Sequence, residues 1–204
     1  NSTFQKYARV RSMSGMTGAQ VARRILDRNG LSEIPVEHVS GNLSDHYDPS
    51  SKVLRLSDST YHSPSVAAIG VAAHECGHAI QHKESYGPLK LRTAIVPAAN
   101  LGSRLGLPII LLGIFFGGGG SFLVNLGIWV FSLAVLFQIV TLPVEFNASS
   151  RALVMLEDYG ILGQEEKRKA KSVLSAAAMT YVAAAASSIL QLLRLIILFG
   201  GRLL

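Results

Sequence analysis

Residues 122–142 (FLVNLGIWVFSLAVLFQIVTL) carry no formal charge. An apolar run of about 20 residues, wound as a helix, matches the thickness of a bilayer hydrocarbon core. In lipid a single segment can satisfy all its backbone N–H and C=O groups only as a helix. A membrane-spanning helix is therefore expected here. Two further apolar stretches flank it. Residues 95–116 are long enough to span but contain Pro97, Arg104 and Pro108, so a kink or partial entry into the bilayer is expected. Residues 173–199 are interrupted by Gln191 and Arg194, and Arg194 is expected either to pair inside a bundle or to snorkel. Between the first two stretches, GGGGS at 117–121 reads as a flexible turn, so that 95–142 folds back as a helical hairpin.

Apolar residues make up 49% of the 204 positions, more than a soluble domain needs, and the excess lies after position 95. Residues 1–70 read instead as polar globular sequence. Over 17–29 (TGAQVARRILDRN) Val21, Ile25 and Leu26 share one face, with Thr17 as cap and Gly30 as stop, predicting a short amphipathic helix. Residues 34–39 and 52–56 read as two strands separated by the turn-prone GNLSDHYDPSS. From 63 to 82 a Ser-Pro-Ser start leads into SVAAIGVAAHECGHAIQH, a buried helix rich in Ala. The net charge of +6 comes without an RNA-binding signature or interleaved aromatic platforms, so no nucleic-acid partner is expected. Cys76 is the single cysteine; it excludes an intrachain disulfide and points to a reducing compartment.

On the predicted buried helix stand His74, Glu75 and His78, an HExxH pattern. A spacing of four stacks two imidazoles on one helix face about 6 Å apart along the axis, so both can reach one zinc ion. Glu75 is then placed as the general base that takes a proton from a water the metal activates. A short pattern also arises by chance on helix surfaces, but a histidine pair on a hydrophobic helix is poorly placed for that. Ala72, Ala73, Gly77 and Ala79 would let neighbouring elements approach closely. Cys76 falls on the opposite side of the helix and reads as a buried small residue.

A catalytic zinc takes a third protein ligand and keeps one open position. His82 lies about 12 Å from His74 on a straight helix, too far to share an ion. Glu84 has the sequence distance of a third ligand in one zincin pattern, but Gln81 stands where that pattern needs a turning Gly. Glu145, directly after the charge-free span, is the best candidate. Two apolar segments separate it from His78, so an out-and-back hairpin returns it to the same side. The plain alternative is a helix-start carboxylate favoured by the helix dipole.

The motifs SGMTGAQVARRIL, LSDHYDPSSKVLRLS, GVAAHECGHAIQH, LPVEFNASSRAL and TYVAAAASSILQLLRL occur in this order along nearly the whole chain. In them the sequence resembles the bacterial YugP-like membrane-bound neutral zinc metallopeptidases, which are related to the gluzincins. The resemblance implies one zinc ion per chain on His74, His78 and Glu145, with Glu75 catalytic, and a protein or peptide substrate. Gluzincin membrane proteases often carry an acidic residue four positions after the ligand Glu, supporting a ligand histidine; Ser149 stands there, with Asn147 and Ser149 as substitutes. Members usually begin with a hydrophobic segment, so trimming before Asn1 is expected.

The expected architecture is α+β: a gluzincin-like zinc metalloprotease domain with a transmembrane hairpin and a third apolar helix. Residues 1–94 hold the first part of the protease domain, 95–142 the hairpin, 143–172 the third-ligand helix and 173–204 the last membrane helix. In the DHYDP run His46 or Tyr47 could stabilise the transition-state oxyanion, against a simple Asp-Pro turn. Tyr181 is a comparable candidate, against an interfacial aromatic. Residues 52–56 read as an edge strand able to pair with an extended substrate, or one blunted by Lys52 and Arg55; His38 and His62 read as structural. Of 19 Lys and Arg, eleven precede position 95 and five lie in 143–172. The positive-inside rule then predicts a multi-pass cell-membrane protein with its site on the cytoplasmic side. The rival reading is a non-catalytic membrane adaptor with a structural zinc; a closed four-ligand site of that kind has no use for a base such as Glu75.

Overall fold

The computed structural model describes residues 2–117 and 122–199. Apart from Gly117, the turn expected at 117–121 lies outside them. The described residues are mostly helical, with one small sheet, and the chain divides into two compact units. Asn1–Tyr86 with Val144–Met179 form the first, and Gly87–Pro143 with Thr180–Leu204 the second.

In the first unit, α1 (Ser2–Ala8) is followed by α2 (Gly18–Arg28). Thr17 caps α2 in a reciprocal capping box with Gln20, which satisfies two otherwise unpaired N–H groups. The predicted apolar face of α2 is the buried one: Val21, Ile25 and Leu26 enter the main core. Three strands come next, β1 (Val36–Val39), β2 (His46–Asp48) and β3 (Val53–Ser57), in the order β1-β3-β2. β3 pairs parallel to β1, with Val36 opposite Leu54, and antiparallel to β2, with Tyr47 opposite Leu54. Leu54 and Leu56 project from it into the core.

Two expectations are corrected here. Residues 53–56 of the 52–56 segment fall in the central strand β3, flanked on both sides, so the segment offers no edge to a substrate. The DHYDP run is not only a turn, since His46–Asp48 forms the outer strand β2. A three-residue strand has no periodicity of its own to read; pairing with β3 creates it.

After α3 (Asp58–Tyr61) comes α4 (Val66–Lys83), the predicted buried helix, capped by the Ser65 side chain on the Ala68 N–H. Its Ala-rich surface is buried from Val66 to Gln81 with few exceptions. Ile69, Ala72, Ala73 and Cys76 join the core that α2 and the sheet build.

The remaining chain forms three long helices, α5 (Gly87–Gly117), α6 (Phe122–Asp158) and α7 (Gln164–Phe199). All three are long and apolar enough to cross a membrane. The helical breaks do not fall where composition changes. The charge-free span and the segment with Glu145 are one helix through Pro143, and the polar start of α7 runs unbroken into its apolar part. The separate 143–172 helix is thus corrected. The break lies at 159–163, where Gly160 takes the left-handed φ of 64° that ends helices readily.

In the second unit α5 and α6 touch backbone to backbone. A Cβ on Gly102 would lie 2.2 Å from the Val130 carbonyl oxygen, so only glycine fits. Gly102 and Gly106 form the small-xxx-small spacing by which membrane helices approach closely. Ile110, Val124, Ile128 and Leu195 cluster beside this contact and bring α7 into the packing. Phe115, Trp129, Leu190 and Ile197 face outward, as residues in lipid do. Arg194 is exposed, which corrects the reading of a pair buried inside the bundle.

Candidate metal centre

α4 presents His74 and His78 on one face, one turn apart. Across from them stands the second half of α6, and Gly77 permits the approach: a Cβ there would sit 2.7 Å from the Ala148 carbonyl oxygen. Glu145, one turn before Ala148, is thereby carried to the two imidazoles. His74 Nε2 lies 3.1 Å from Glu145 Oε2 and 3.1 Å from His78 Nε2, and His78 Nε2 lies 3.6 Å from Glu145 Oε2. Three ligands bound tetrahedrally at zinc distances are separated by about 3.3 Å. Among the described residues, this is the one cluster of three or more His, Cys, Asp or Glu side chains close enough to share an ion.

The donor set also fits a cation chemically. Two imidazole nitrogens and a carboxylate oxygen repel as three acceptors in so small a space unless a metal cation or a ring proton lies among them. Each ring's other nitrogen is engaged elsewhere: His74 Nδ1 with Ser149 Oγ at 2.9 Å, and His78 Nδ1 with Gln81 Oε1 at 3.0 Å. That leaves both Nε2 atoms directed inward, the arrangement a metal-ligating histidine requires. Burial opposes charge on His78, but the hydrogen bond and charge of Glu145, together with the charge of Glu75, outweigh it and raise its pKa.

Glu75 is buried between the two histidines in sequence and beside them in space. Burial pushes its carboxyl above the usual range, with the charges of His74 and His78 pulling the other way. Its Oε2 accepts the backbone N–H of Tyr47 at 3.2 Å, which ties β2 to the site. The Tyr47 hydroxyl shares a hydrogen bond of 2.8 Å with His82 Nδ1. His46 is exposed, its ring N–H donating to the Ser44 carbonyl. Tyr181 belongs to the second unit, on α7.

Several readings of the sequence are resolved by position. Glu145 is in the interior of α6, so the helix-start reading does not apply. Glu84 pairs with Arg151 at 2.7 Å and is half exposed. Of the two substitutes for an acidic support, Ser149 touches His74 directly, whereas Asn147 reaches His78 only through Gln81. Gln81 entered the sequence reading only as a departure from a zincin pattern, not as a partner of His78. The signal was present, since it follows His78 by three positions and so lies beside it on the helix. Nothing in the sequence signals the Tyr47–His82 contact, which depends on the strand pairing.

The chain matches over residues 1–200 the family described as "Putative neutral zinc metallopeptidase", and it belongs to that family. It is similar to the "Putative membrane protease YugP" of Bacillus subtilis (strain 168), at 52% identity over 202 residues, covering 98% of this chain and 89% of that protein. No solved structure matches the chain.

Proposed function

We propose that this chain is a multi-pass membrane zinc endopeptidase of gluzincin type, with the zinc on His74, His78 and Glu145 and with Glu75 as general base. The observation that carries this reading is the convergence of three ligand atoms within 4.8 Å of one another on two helices, with a further buried carboxylate at their side. Three ligands leave one tetrahedral position for water, as hydrolytic zinc sites do and structural sites do not. When bound, zinc supplies Lewis acidity, polarising the scissile carbonyl and making water nucleophilic near neutral pH. Glu75 takes the proton of the attacking water and returns it to the leaving amine. The Tyr47 N–H holds the Glu75 carboxylate in place between these transfers. The name of the Bacillus relative and the three apolar helices support a bilayer setting, and the distribution of Lys and Arg supports a cytoplasmic site.

The test is Glu75→Gln in the purified full chain, with zinc content and proteolysis of an unfolded protein substrate measured together. Turnover is expected to fall by about a hundredfold to ten-thousandfold, the usual worth of a general base, with about one zinc retained per chain. Undiminished turnover would sink the assignment. A wild-type chain that binds zinc tightly but shows no hydrolysis at all would favour the structural-zinc adaptor.

A further inference from the structure

The side chain of Gln81 is fully buried and both ends of its amide are hydrogen-bonded. Its Nε2 donates to the Val144 carbonyl oxygen at 2.9 Å and to Asn147 Oδ1 at 2.9 Å. The first of these partners can only accept. The second is compelled to accept, because Arg151 Nε, a donor with no acceptor role, addresses the same Asn147 Oδ1 at 2.7 Å. Arg151 is in turn held by Glu84 at 2.7 Å and lies over the Tyr86 ring at 5.9 Å. The amide of Gln81 is therefore oriented from two sides, its nitrogen toward α6 and its oxygen toward His78. An amide oxygen only accepts, so the ring nitrogen facing it at 3.0 Å must carry the hydrogen.

The geometry points to Gln81 as a positioning residue that dictates the Nδ1–H form of His78, itself oriented by the Val144 carbonyl and, through Asn147, by Arg151. A neutral imidazole protonated at Nδ1 has its lone pair on Nε2, directed at His74 and Glu145. His78 is thus prepared as a ligand before any metal arrives. One amide also joins the helix of His78 to the backbone position next to Glu145, coupling two ligands that are distant in sequence. His74 is different, because the Ser149 hydroxyl can donate or accept and so imposes no form on its ring. An uncharged amide stands where a carboxylate often supports a zinc histidine. The inference rests on the proposed role of His78 as a ligand.

The experiment reads the two rings by long-range ¹⁵N–¹H correlation in the zinc-free full chain labelled at histidine, with His78→Gln assigning the signals. Zinc affinity is then measured by chelator competition. At a pH where the ring is neutral, wild-type His78 is expected in the Nδ1–H form. Gln81→Leu should release that form and lower zinc affinity by about 10–100-fold, the usual cost of losing such support. Gln81→Glu keeps an acceptor against Nδ1 and should retain the Nδ1–H form and bind zinc more tightly than Gln81→Leu, even if less stably folded. A residue acting only by packing gives the opposite order, because Leu fills the space without burying a charge. Asn147→Leu, which removes one of the two orienting acceptors, should fall between wild type and Gln81→Leu. An Nε2–H form in the wild type, or Gln81→Leu indistinguishable from it in both readouts, would overturn the inference. Unchanged zinc binding in His78→Gln would instead overturn the ligand reading, whatever the form of the ring.

Discussion

At the scale of single residues, the centre depends on side chains with unequal duties. Glu145 is the proposed third ligand, and on that reading Glu145→Ala should weaken zinc binding by more than the roughly 10–100-fold that loss of a supporting residue costs. Chelator competition measures this, and wild-type affinity in the variant would move the third ligand elsewhere. Cys76 sits two residues after His74 yet belongs to the core, with its Sγ against the Ala22 carbonyl at 3.7 Å. Burial pushes its thiol pKa up, so the reactive thiolate is suppressed. A soluble maleimide should label Cys76 only after denaturation; rapid labelling of the native chain would contradict its placement. The pattern His74, Glu75, His78 was legible because helical periodicity alone brings those residues together. The Tyr47 N–H on Glu75 was not, because a backbone donor on a short strand has no residue-type signature.

At the scale of elements, the decisive contact is α4 against α6. Gly77 lies inside the ligand pattern and its missing Cβ is what admits the Ala148 backbone. Gly77→Ala should force the helices apart, destabilise the fold by about 1–3 kcal/mol as overpacking does, and lower zinc affinity by displacing Glu145. Thermal unfolding and chelator competition read the two effects. Unchanged zinc affinity at lowered stability would mean that α6 does not carry the third ligand. The small residues near the motif foretold a close approach, though not which element would make it. The helix boundaries were less legible. Helix formation tolerates a change from lipid-compatible to polar composition, so the sequence change near 143 produced no break, while Gly160 did.

At the scale of the whole molecule, all 13 acidic residues lie in the first unit, and the second carries only basic charge. Sixteen of the 19 Lys and Arg precede position 95 or lie in 143–172, a distribution that under the positive-inside rule supports the proposed cytoplasmic site. A cysteine introduced at Ser121 should react with an impermeant maleimide added outside intact cells, and one at Lys169 only after permeabilisation. The buried Cys76 leaves the experiment without background. Reversed labelling would overturn the orientation, and labelling of both positions from outside would overturn the hairpin.

The sequence by itself determined what is periodic or exclusive: a charge-free span that lipid compels into a helix, two histidines and a glutamate on one helix face, an amphipathic α2 with its cap. Those features follow from local geometry, which neighbouring residues carry in full. Only the tertiary structure decided that 53–56 falls in a central strand, that Glu145 arrives from a helix interior, and that Gln81 links His78 to that helix. Each of these joins positions far apart in the chain, and the free energy that selects them comes from packing and from satisfying buried polar groups. A single sequence does not display such terms along its length.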